Sequence, residues 1–103
     1  MSWATNYIKQ LQEGKPVEFR PRGNSMTGLV NDGDLVRIIP YDQSRHKLVK
    51  DLVVLCKVKK SHYLHKISAV KPNQVQISNN HGHVNGWISL NNVYGILDAN
   101  YGK

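Results

Sequence analysis

One cysteine, one phenylalanine and seven acidic side chains are all that these classes contribute to a chain of 103 residues. The lone Cys56 cannot pair within the chain, which excludes a disulfide framework and suits a reducing compartment. It sits in the apolar run Leu52–Cys56 and reads as a buried thiol. No apolar stretch approaches the roughly 20 residues of a membrane-spanning helix, and the N-terminal segment lacks the apolar centre of a secretory signal. A soluble, cytoplasmic protein with no membrane contact is the expectation. Internal repeats, low-complexity segments and linkers are also missing, so residues 1–103 are expected to form one domain. That size supports a modest core without disulfides.

The scarcity of acid leaves a net charge of +7, and the excess is local. Residues 1–36 carry four Lys/Arg against four Asp/Glu, and residues 72–103 carry one of each. Residues 37–71 hold nine basic side chains against Asp42 and Asp51 alone. Arg45, Lys47, Lys57, Lys59 and Lys60 are therefore expected to form a basic surface that attracts phosphates or acidic partners, or simply keeps the protein soluble. Only Tyr41 and Tyr63 interleave with it. A stacking platform for single-stranded nucleic acid is poorly supported, and any nucleic-acid binding should be weak and salt-sensitive.

What the chain does have is alternation. Trp3, Tyr7, Ile8 and Leu11 share a helical face that Gly14 ends, giving one N-terminal helix within residues 1–14. Strands are then expected at Val17–Phe19, Leu35–Ile39, Leu52–Val58, Tyr63–Val70, Gln74–Ser78, Trp87–Leu90 and Val93–Leu97. Leu52–Val58 is apolar almost throughout, as in a strand buried on both faces. Turns are expected at residues 59–62, at Pro72-Asn73 and at Asn85-Gly86, the strongest hairpin signal present. The fold class that follows is mainly β: a small, coiled, mostly antiparallel domain with barrel-like closure and one short helix.

Within this pattern, Gly23-Asn24-Ser25-Met26 followed by Gly33-Asp34-Leu35-Val36 sets a hydroxyl on a tight turn beside a sheet. A serine is a weak nucleophile and needs such placement before a neighbouring base can activate it. The run resembles the G-x-S-M-x-P…G-D-x-V signature of the serine peptidases that include LexA-type repressors and bacterial signal peptidases. Gly28 stands where signal peptidases usually carry proline. The resemblance covers about Phe19 to Leu97 and implies a β-rich catalytic fold with Ser25 as nucleophile. It also implies an oxyanion site near Gly23, Asn24, Ser25 and Met26, and no cofactor.

The resemblance further implies a base on a later strand, at Tyr63-Leu64-His65-Lys66-Ile67. Side chains alternate along a strand, so His65 and Lys66 face opposite ways and cannot share the task. By register His65 takes the family's base position, on the more apolar face, and histidine is a competent base near neutrality. Lys66, the second candidate, would first have to be desolvated. Histidine-type members add an orienting aspartate, but residues 79–86 offer only asparagines, with Asn80 and Asn85 as candidates. His81 and His83 have no evident third ligand, so no metal is expected.

Two readings of function remain. One is a serine hydrolase with a Ser25–His65 (or Lys66) dyad, acting slowly and in trans on an extended peptide or protein. No Ala-Gly or Cys-Gly bond occurs in the chain, so repressor-type self-cleavage is not expected. The other is a catalytically idle descendant of that fold, binding nucleic acid or protein through its basic surface.

Overall fold

The computed structural model describes residues 2–99; Met1 and residues 100–103 of the expected domain lie outside the described residues. The chain begins with α1 (Thr5–Gln12), which buries Ile8 and Leu11. The helix ends at Gly14, whose φ of +85° is available to glycine without strain. There Gly14 N–H donates to Leu11 O at 3.0 Å and Lys15 N–H to Gln10 O at 3.0 Å. Together these are the paired bonds of a Schellman motif.

Seven strands follow: β1 (Val17–Phe19), β2 (Val36–Pro40), β3 (Val53–Val58), β4 (Ser61–Val70), β5 (Gln74–Ser78), β6 (Val84–Ser89) and β7 (Val93–Leu97). All pair antiparallel in one sheet, ordered β1-β2-β7-β3-β4-β5-β6. The mainly β architecture and the single short helix match the sequence pattern. Barrel-like closure does not: β1 and β6 are edges, and the sheet stays open among the described residues. The coiling is nonetheless strong enough to bring Gly86 of β6 against Val58 of β3, where an added Cβ would stand 3.7 Å from Val58 Cγ1.

Two hydrophobic clusters form the core. One lies under α1 and holds Ile8, Leu11, Phe19, Ile38, Leu55 and Leu64 among others. The second holds Val54, Cys56, Ile67, Val75, Ile77 and Ile96. β3 feeds both, since Val53 and Leu55 belong to the first cluster and Val54, Cys56 and Val58 to the second. This accounts for its uninterrupted apolar sequence. Each wholly buried large side chain, Ile38, Leu55, Ile67 and Ile77, contributes roughly 1.5–3 kcal/mol through loss of apolar surface from water.

The differences from the sequence reading are local. β2 runs Val36–Pro40, one residue later at each end than the expected Leu35–Ile39. More consequentially, β6 starts at Val84, so Asn85-Gly86 lies inside a strand, and the β5–β6 connection is residues 79–83. Asn79 builds that connection: its Oδ1 accepts from the N–H groups of His81 and His83, both at 2.9 Å, and its own N–H donates to His83 O at 2.9 Å.

The register of β4 positions everything that follows. Residues 61–66 pair with β3, whereas β5 pairs only from Lys66 onward, with Ser78 opposite Lys66. Residues 61–65 therefore have no strand neighbour on the β5 side. That open side receives the turn carrying Ser25, held by Asn80 N–H donating to Ser25 O at 2.8 Å.

Candidate active site

Small residues and short polar side chains shape the Ser25 turn. Gly23 has φ of +106°, and its N–H donates to Asp32 Oδ1 at 2.7 Å. Gly33 N–H donates to Pro21 O at 2.8 Å and closes the base of the loop. Met26 and Val30 are its apolar anchors, both buried, with Val30 N–H donating to Met26 O at 2.8 Å. Gly28 has φ of +98° and donates its N–H to Asn31 Oδ1 at 3.0 Å. Proline, fixed near −65° and lacking that donor, does not fit this position. The turn thus departs from the proline-bearing pattern for a structural reason.

Ser25 is exposed on this anchored loop, and His65 of β4 lies beside it. Ser25 Oγ and His65 Nε2 are 3.1 Å apart. The other ring nitrogen, Nδ1, is 2.7 Å from Asn85 Oδ1 on β6. An amide oxygen can only accept, so Nδ1 carries the proton and Nε2 turns its lone pair to the serine hydroxyl. That is the tautomer a general base requires. His65 is only 6% exposed, and burial lowers its pKa; the Asn85 hydrogen bond opposes this and the charge of His83 adds to it. Burial thus favours the neutral imidazole.

Lys66, the alternative base, goes elsewhere: its Nζ donates to Asn80 Oδ1 at 3.2 Å. Asn80 in turn donates from Nδ2 to Thr27 O at 2.7 Å. Lys66 and Asn80 thus brace the serine turn from behind, and of the two candidate asparagines it is Asn85 that meets the imidazole. His81 adds a further brace, its Nε2–H donating to Asn24 O at 2.6 Å. The proposed oxyanion segment is unevenly free. Gly23 N–H is already engaged by Asp32, while the N–H of Ser25 donates to no acceptor among the described residues.

A cleft of about 430 Å3 opens in front of Ser25 and His65. Its walls include Trp3 and Tyr7 from the N-terminal segment, Phe19 at the end of β1 with Arg20 just after it, and Leu64 of β4. In the sequence Trp3 and Tyr7 read as part of one helical face; in the structure Trp3 precedes α1 and Tyr7 lies within it. Their role in the cleft follows from long-range placement, for which the local pattern carries no signal.

The residues expected to form the basic surface come from two parts of the chain. Arg45 and Lys47 lie in the loop between β2 and β3, with Arg45 3.8 Å from Asp42. Lys57 ends near the β3–β4 hairpin whose turn is Lys59-Lys60, and Lys59 there adopts φ of +56°. No helix among the described residues is long and apolar enough to cross a membrane.

The sequence matches no family model, no curated protein and no solved structure at a significant level.

Proposed function

We propose that this chain is a serine hydrolase of the kind its Gly23–Met26 turn resembles, cleaving an extended peptide in trans. The observation that carries the reading is the continuous line Asn85 Oδ1, His65 ring, Ser25 Oγ, with separations of 2.7 and 3.1 Å. Such a line orders a nucleophile, a base and an orienting group in the sense of a triad.

Ser25 Oγ would attack the scissile carbonyl carbon while its proton passes to His65 Nε2. The developing oxyanion would accept from the Ser25 N–H. Collapse of the tetrahedral adduct breaks the C–N bond, and His65 returns the proton to the departing amine. Water, deprotonated by the same imidazole, then releases the acyl group from Ser25. The substrate would add as a strand along the free edge of β1, because Phe19, Arg20 and Pro21 continue from that edge into the cleft. Asn85 fixes the tautomer but brings no charge to stabilise the imidazolium, so turnover should be slow.

A fluorophosphonate probe tests the reading. It should label the protein at Ser25, with labelling abolished by Ser25→Ala and strongly reduced by His65→Gln in folded protein. A folded protein that ignores the probe from pH 6 to 9 would refute it. Labelling that survives in Ser25→Ala would refute it equally.

A further inference from the structure

The cleft in front of Ser25 is larger and more aromatic than a short side chain needs. Trp3, Tyr7 and Phe19 form its upper wall, with Trp3 5.7 Å and 6.4 Å from the Phe19 and Tyr7 rings and Tyr7 stacked on Phe19 at 4.5 Å. Trp3 remains 51% exposed despite these contacts. An indole that lines the cleft, held by two rings yet half exposed, presents apolar surface to solvent. Buried Met26, Val30 and Leu64 supply the apolar floor. At about 430 Å3 the space falls within the roughly 300–1,000 Å3 of ordinary ligand clefts.

Charge around the cleft has one sign. Arg20 and Arg22 line it and no Asp or Glu does. Asp32 Oδ2 lies 4.0 Å from Arg22 Nη1, but the two side chains are 48% and 81% exposed respectively, and such a pair is weak. Arg20 is steadied by Nη1–H donating to Gly33 O at 2.9 Å.

Resting on the hydrolase reading above, we infer that the cleft is a specificity pocket. It takes a bulky apolar side chain, aromatic for choice, beside the scissile bond of a peptide that carries an acidic residue next to it. The aromatic wall would stack on and cover that side chain, and the two arginines would meet the acidic neighbour. Trp3, Tyr7 and Phe19 are the residues that set this preference.

Two measurements separate the pocket from the nucleophile. In the first, the boronic-acid analogues of N-acetyl-phenylalanine and N-acetyl-alanine compete with the fluorophosphonate for Ser25. The phenylalanine analogue should protect at least about tenfold better, since apolar pockets discriminate by roughly 10–200-fold. Trp3→Ala, at a half-exposed position, should remove most of that advantage. Equal protection, or better protection by the alanine analogue, would overturn the inference while leaving the hydrolase reading intact. The second uses Ser25→Ala combined with Trp87→Phe, so that Trp3 is the single indole and no reaction can occur. N-acetyl-Phe-Asp amide should give a saturable shift in Trp3 fluorescence, tighter than N-acetyl-Phe-Lys amide by several-fold at low salt, with N-acetyl-Ala-Asp amide giving none. That result would sustain the pocket even if Ser25 proved unreactive. An absent shift, or the same affinity for all three peptides, would overturn it.

Discussion

Replacing Asn85 by aspartate puts a charge where the structure has only a dipole, 2.7 Å from His65 Nδ1. The hydrogen bond and the tautomer are kept, because a carboxylate oxygen accepts from the same N–H. What changes is the imidazolium. Unit charges about 4 Å apart attract by roughly 4 kcal/mol at an effective dielectric constant of about 20. Part of that is offset by desolvating the new carboxylate at a half-buried position. A net rise of about 1–3 units in the His65 pKa is the expectation for an opposite charge at this range, equivalent to about 1.4–4 kcal/mol. Burial holds the wild-type pKa below the ordinary histidine value, so the acid limb of Ser25 reactivity should lie below pH 6.5. In Asn85→Asp it should move upward by that shift. The plateau above it should rise by about tenfold or more, since the transition state contains the charged ring. Fluorophosphonate labelling rates between pH 5 and 9 give both quantities, with a thermal melt confirming that the variant is folded. An unmoved acid limb, or a plateau that falls in a folded variant, would refute the assignment of His65 as base and Asn85 as its orienting partner.

Three further outcomes follow from burial and packing. Burial pushes the Cys56 thiol up to about 12, so it should resist a disulfide reagent at pH 8 in the native protein and react fully in denaturant; rapid native reaction would contradict the core placement. A Cβ on Gly95 would collide with Ile38 Cγ2 and lie 2.9 Å from Ile39 O and 3.0 Å from Leu11 Cδ1. Gly95→Ala should therefore cost about 1–3 kcal/mol, read as a drop in urea midpoint, and an unchanged midpoint would contradict the close approach of β2 and α1 to this glycine. Burial also lowers the pKa of His62 and His65 in the fold. Their contribution to stability is complete above about pH 6.5, the unfolded value, and is lost as pH falls toward the folded values, where the unfolded chain binds more protons. The urea midpoint should decline from pH 7.5 to pH 5, and less steeply in His65→Gln; an equal slope in the variant would exclude His65 as a source.

Much of the strand pattern was legible because strands announce themselves locally. Gln74–Ser78 and Val93–Leu97 have the boundaries that their alternation implies, and the uniform apolarity of β3 marks a strand covered on both faces. The opposition of His65 and Lys66 also follows from a two-residue period, and the structure sends one to Ser25 and the other to Asn80. Asn85-Gly86 misleads for a physical reason. The pair favours a tight turn in isolation. Here the five-residue connection 79–83 is stabilised by Asn79 instead, and Gly86, at φ of +141°, is accommodated within β6 beside a register shift at Ile77/Ser78. A turn at residue 85 would have left Asn85 away from the ring; in the strand it faces His65. Barrel closure failed for a different reason, since the pairing of edges depends on contacts between the two ends of the sheet, which no local period encodes. The cleft is non-local in the same way. Trp3 and Tyr7 read as one face of an amphipathic helix, and only the docking of α1 against Gly95 and Phe19 turns that face toward the nucleophile. The site therefore joins a locally written part, the serine turn and its base, to a part written only in tertiary packing, and it is the second that would set what the first acts upon.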